Sequence, residues 1–214
     1  IGMIKKDVYL ILKNLSVVYL LAFLIAIIPA TQNSAMLFPI LSFLLAVIFS
    51  TQIAVTMDLD EKSNWKKIVF AMPLSKYIEV AGKYVLSLLL AVLAAGFVFL
   101  FGLLFVYGLP SLTKGWAEII AYSSISFCLC VLYNAIMIPA TYKFGSSKSR
   151  IVLVVFVAIL PTIGTLIMSR TGVTISMIAL TPQTIVLLCF TGMFIIEFIS
   201  FILSVKIRKK RDKI

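Results

Sequence analysis

Few residues in this chain could do chemistry on their own. Histidine is absent from all 214 positions, which removes a His-Glu-x-x-His zinc site, Ser/His proteolysis and histidine proton relays together. The three cysteines, Cys128, Cys130 and Cys189, all fall within long apolar stretches. Cys128 and Cys130 are too close in sequence for an ordinary disulfide, so the pattern predicts buried free thiols. Gly145-Ser-Ser-Lys-Ser149 shares residue types with a phosphate-binding loop, but the Gly-x-x-x-x-Gly-Lys-Ser/Thr spacing is missing. A contact with a cytoplasmic partner, Lys148 and Arg150 included, is the better use of those residues. The acidic residues supply no carboxylate pair at a common depth, no nucleophile stands beside a base, and no metal-ligand set is evident. The sequence therefore predicts no catalytic residue, no metal and no cofactor on this chain.

What remains is polarity placed inside apolar runs. Gln52, with Thr51 beside it, is the strongest such feature of the stretch 35–57. An amide removed from water costs up to several kcal/mol, roughly, unless a neighbouring helix supplies a partner. Gln52 is then either glue between helices or part of a translocation surface. Glu197 lies within the last apolar stretch, about 12 Å along a helix from Lys206. Ionised at the bilayer centre it would cost about 3 kcal/mol. Either it is neutral or bonded to a nearby Lys or Ser, or it makes a functional polar contact in a cavity or between subunits. Pro161, Thr162, Gly164 and Thr165 together predict a bend or a non-helical break in the fifth apolar stretch.

The elements that must position these residues are membrane spans. The chain is 62% hydrophobic with 13% charged residues and a mean hydropathy of +1.15, whereas soluble domains are about 45–50% apolar and about 25% charged. Six apolar segments, 15–31, 35–57, 83–108, 116–140, 151–169 and 183–205, are each about long enough to cross a 30 Å hydrocarbon layer. The expected fold is all-α, a single membrane domain over 1–214. Residues 3–14 are expected to form an interfacial helix. The stretch 170–182, too short to cross again, is expected to be an external re-entrant or interfacial piece. With six spans, all but Lys114 and Arg170 of the 19 basic residues fall on one side. The positive-inside rule makes that side cytoplasmic, with both termini on it. The net charge of +11 is thus a topology signal and a contact for anionic lipid, not a nucleic-acid footprint. The basic start leads into a full-length span, so no cleavable signal peptide is expected.

The one long polar interruption is the cytoplasmic loop 58–79. Trp65, Ile68, Val69 and Met72 fall at i, i+3, i+4 and i+7, an apolar stripe on a helix of about three turns, with Lys66 and Lys67 on the other side. Ser63 is the expected N-cap, with Asp58, Asp60 and Glu61 at the positive end of the dipole, and Pro73 ends the helix. Ser75 then caps a second helix that continues into the third span.

At these residues a resemblance appears. Asp60-Glu-Lys-Ser-Asn-Trp65, Met72-Pro-Leu-Ser-Lys76 and Val80-Ala-Gly-Lys-Tyr84 resemble the cytoplasmic loop of bacterial ATP-binding-cassette (ABC) exporter permeases of the second class. The opening Met3-Ile-Lys-Lys-Asp-Val-Tyr-Leu-Ile-Leu-Lys-Asn14 and the six-span layout are similar as well. Met72 replaces the usual Leu and Gly82 a bulkier residue. The resemblance implies a subunit of a dimer in the bacterial cell membrane and a separate ATPase carrying ATP and Mg. Glu61 through Met72 would be the coupling helix, and residues 143–150 a second contact. Spans two and five would line the path, which nominates Thr51, Gln52, Thr162 and Thr165, with Glu197 as a further polar candidate. The likeness is greatest to permeases of amphipathic toxin-peptide exporters of the phenol-soluble-modulin kind, hence an apolar or amphipathic peptide substrate. An ATP-independent immunity or binding protein, and the membrane subunit of an importer, are the alternatives.

Overall fold

A computed structural model describes residues 2–14, 34–63, 65, 76–108, 116–149, 151, 154–155, 162 and 182–211, and no strand occurs among the described residues. Among the described residues are five long helices: α1 (Gly2–Asn14), α2 (Ser34–Lys62), α3 (Lys76–Gly108), α4 (Trp116–Phe144) and α5 (Pro182–Arg211). Within the last four, the stretches Phe38–Lys62, Tyr77–Leu104, Trp116–Phe144 and Phe190–Lys210 are long and apolar enough to cross a membrane. They correspond to the expected second, third, fourth and sixth spans. The expected first span, 15–31, lies outside the described residues. So does the fifth, 151–169, apart from the isolated helical positions 151, 154, 155 and 162, and so do residues 170–181.

The centre of the bundle is α4, which packs on α2, α3 and α5, while α1 rests against α2 and α3. Lipid is as apolar as leucine, so spans associate by close packing and hydrogen bonding rather than by escaping solvent. Small residues therefore line the seams: Ala46, Ser50, Ala91, Ala94, Ser126 and Ala135 are all buried. At Gly102 the approach of α3 to α4 is tight enough that a Cβ would lie 2.6 Å from Ile119 Cγ2. Aromatic pairs fill the wider gaps, with Phe49 of α2 stacked on Phe97 of α3 at 5.5 Å and Phe38 on Tyr122 of α4 at 6.0 Å. Phe97, 40% exposed, thus serves a helix contact with one side of its ring. Cys130 is buried, and neither it nor Cys128 is in a disulfide. Cys130 Sγ lies 3.1 Å from Ser50 Oγ, whose hydroxyl also stands 2.6 Å from Ala46 O.

Pro139, inside α4, fixes how α5 sits. Proline has no N–H, so the carbonyl of Ala135, four residues earlier, loses its helical partner. Ser200 Oγ of α5 donates to that carbonyl at 2.5 Å. A neighbouring hydroxyl is how a span tolerates an interior proline where water is absent.

The polar loop begins later than expected. The helix of the second span does not stop at Met57 but runs through the acidic residues to Lys62. Ser63 closes it, its N–H bonded to Leu59 O at 2.9 Å and its hydroxyl to Asp60 O at 3.4 Å, instead of opening the next helix. Asp58, Asp60 and Glu61 therefore sit at the negative end of the α2 dipole, where carboxylates are disfavoured and need partners. Of the expected coupling helix, Glu61 through Met72, only Glu61, Lys62, Ser63 and Trp65 are among the described residues, the first two of them as the end of α2. In α1, Ile11 is buried and Ile4 half-buried, while Val8 and Leu12 are exposed.

Candidate functional site

The partners of the α2 acids come from three other segments. Lys6 of α1 reaches Asp60 Oδ1 at 2.5 Å and Asp7 Oδ1 at 3.2 Å. Lys83 of α3 reaches Asp7 Oδ2 at 2.8 Å and Asp60 Oδ2 at 2.7 Å. Each lysine thus touches both aspartates, closing a ring of alternating charge with no net charge. The ring is sheltered: side-chain exposure is 4% for Asp7, 8% for Lys83, 16% for Asp60 and 25% for Lys6. Lys6 also lies over the ring of Trp65, 4.0 Å from its centroid, a cation–π contact. A cavity of about 50 Å³ lies between these groups, bordered by Met57, Trp65, Gly82 and Tyr142.

Two more links complete this end of the bundle. Arg208 of α5 donates from Nε and Nη2 to Glu79 Oε2 of α3, both at 3.2 Å, with Arg208 3% exposed. After α4, Gly145 takes φ +86°, the left-handed conformation that ends helices and suits glycine. A Cβ there would also crowd Glu61 Oε1 at 3.3 Å. The reversal aims the Ser146 N–H at Glu61 Oε2, 2.7 Å away, and the Ser146 hydroxyl at Asp58 Oδ1, also 2.7 Å. The last turn of α2 is therefore tied to α1, to α3 and to the segment after α4.

A second polar cluster lies deeper, between α3, α4 and α5. Ser87 Oγ is 2.9 Å from Glu197 Oε1 and 2.9 Å from the carbonyl of Tyr84. The Tyr84 hydroxyl lies 2.6 Å from Ser200 Oγ and 2.9 Å from Ser204 Oγ. All five side chains are buried.

The expected site residues fall as follows. Glu61 is on an exposed turn, but its carboxylate is turned inward onto Ser146. Trp65 is half-buried against Lys6. Lys148 is exposed, in the helical turn 146–149. Lys66, Ile68, Val69, Met72, Arg150 and Thr165 lie outside the described residues. Thr51 donates to Ile48 O at 2.8 Å. Gln52 is buried, bonded only loosely to Ile48 O at 3.5 Å, and its Oε1 has no hydrogen-bond partner among the described residues. Thr162 is at an exposed helical position. Glu197 meets Ser87, and since α2 and α5 do not pack directly, it is not brought together with Gln52.

The residues that sequence reasoning missed are the ring members Lys6, Asp7 and Lys83 and the Glu79–Arg208 pair. Asp7 and Asp60 are a carboxylate pair at one depth, contrary to expectation. The available signal was complementary charge clustered at the same end of successive spans.

The family model described as ABC-2 family transporter protein matches residues 2–209. No curated protein and no solved structure matches the chain.

Proposed function

The chain belongs to the ABC-2 family of transporter proteins, is therefore a multi-pass membrane subunit of an ABC transporter, and we propose that it is the permease of an exporter driven by a separate ATPase. ATP and Mg are held by that ATPase, and this chain contributes no catalytic group. It works as a dimer in the bacterial cell membrane, with both termini and the loop 58–79 cytoplasmic. The substrate is hydrophobic or amphipathic, a peptide by the likeness of the loop residues. The domain spans 1–214, with 170–182 on the outside.

The observation that carries this reading is the anchoring of the segment that follows α2. Residues 61–72 act as the coupling segment, offering Trp65, Ile68, Val69 and Met72 to the ATPase, with Lys66, Lys148 and Arg150 at its rim. Whatever moves that segment pulls on Asp60 and Glu61, and through them on α1, α3 and the turn after α4. Inside, Thr51, Gln52, Thr162, Thr165 and Glu197 contribute to the translocation path. A buried amide oxygen left unpartnered among the described residues, as at Gln52, supports a polar partner from substrate or from the second subunit.

Trp65→Asp and Ile68→Asp test this directly. Both should abolish copurification of the ATPase and substrate-stimulated hydrolysis while leaving the permease folded. Wild-type association in both variants would mean that the loop is not the ATPase contact, as for an ATP-independent immunity protein.

A further inference from the structure

We infer that Glu197 is a protonated carboxylic acid that donates its hydrogen to Ser87 Oγ, which makes the Ser87–Glu197 pair a proton-binding site inside the helix bundle. The inference does not depend on the exporter reading.

The case rests on counting hydrogens. A serine hydroxyl has one hydrogen and two acceptor lone pairs. Ser87 Oγ stands 2.9 Å from two oxygens, Tyr84 O and Glu197 Oε1. Tyr84 O is a carbonyl and can only accept. If Glu197 were ionised it too could only accept, and one hydrogen would have to be divided between two acceptors. With a proton on Glu197, the carboxyl O–H donates to Ser87 Oγ and the Ser87 O–H donates to Tyr84 O. Every close oxygen pair then contains one hydrogen of its own.

The neighbouring hydroxyls have none to spare. Ser200 must give its hydrogen to Ala135 O, the carbonyl orphaned by Pro139. The Tyr84 hydroxyl therefore donates to Ser200, and Ser204 donates to Tyr84. This chain runs one way and ends without reaching Glu197.

Nor does a cation offset a charge there. Glu197 is 7% exposed and has no ion-pair partner among the described residues. The titratable groups nearest it on the packed helices are Tyr84 of α3 and Cys130 of α4, both neutral donors or acceptors. Lys83 and Arg208, the buried cations of α3 and α5, are committed to Asp7, Asp60 and Glu79. An unpaired buried charge is among the most costly things a bundle can hold, and a carboxyl relieves it by taking one proton from water. One proton is bound per chain.

The test is infrared spectroscopy of the full chain in lipid nanodiscs at neutral pH. The wild type should show the carbonyl stretch of a protonated carboxylic acid, shifted in D₂O and absent from Glu197→Gln. That substitution keeps the fold, because its amide N–H donates to Ser87 as the acid does. In Ser87→Ala the band should move to higher frequency, having lost its acceptor. Independently, a hydrophobic carbodiimide adds to protonated carboxyls, forming an N-acylurea, and should label the wild-type chain at Glu197. Superimposable wild-type and Glu197→Gln spectra, or a chain unlabelled at Glu197, would overturn the assignment.

Discussion

Lys83 is the member of the charge ring whose loss should cost most. Lys83→Met keeps most of the side-chain volume but leaves Asp7 and Asp60 sharing Lys6 alone, a sheltered cluster with one uncompensated negative charge. Removing one partner from a buried pair costs about 3–5 kcal/mol. Asp60 and Lys6 keep 16% and 25% exposure, so water screens part of the imbalance and about 3 kcal/mol is expected. For a chain of this length that lowers the melting temperature by roughly 6–12 °C. Adding Asp7→Asn restores neutrality, leaving the 2.5 Å Lys6–Asp60 pair. The double variant should recover roughly 1–2 kcal/mol of the loss, a coupling expected of groups in direct contact. Thermal melting in one detergent, followed by tryptophan fluorescence, measures all three proteins. A Lys83→Met protein that melts with the wild type, or a double variant whose loss is the simple sum, would mean that the four charges are not coupled.

Two other substitutions probe the seams. Ser200→Ala orphans the Ala135 carbonyl and should cost about 1–3 kcal/mol, while the Pro139→Ala/Ser200→Ala double variant, with its restored N–H, should melt closer to the wild type; equal losses would separate Ser200 from Pro139. Glu61→Ala should speed amide exchange at Ser146 by up to about tenfold, the effect of losing roughly 1 kcal/mol of hydrogen bond, and Glu61→Gln, which keeps an acceptor, should not; identical exchange in both would remove Glu61 from the turn after α4.

The spans were legible because hydrocarbon thickness and helix rise leave little choice for long apolar runs, and α2, α3, α4 and α5 fall on four of the six. The start of α3 at Lys76 is where Ser75 and Pro73 place it. The end of α2 was not legible, because acids at a helix C-terminus oppose the dipole and argue locally for a break at Met57. What overrides them comes from far along the chain: Lys6, Lys83 and the Ser146 N–H. The loop motif places Glu61 at the start of the coupling helix, and only the reversal at Gly145 shows what its carboxylate meets. The Ser200–Ala135 bond was in principle readable, since Pro139 announces a free carbonyl, but nothing local says which helix supplies the hydroxyl. For Glu197 the sequence left a nearby Ser among the possible partners, and that partner is Ser87.

Whether this chain takes its drive from a partner ATPase through residues 61–72 is decided by placing a photo-crosslinking amino acid at position 68 and identifying what it captures in cells. An adduct with an ATP-binding-cassette ATPase, its yield changing when ATP hydrolysis is blocked, is the expected result. Capture of lipid alone, or a residue 68 that reacts only with reagents applied from outside the cell, would contradict a cytoplasmic coupling helix.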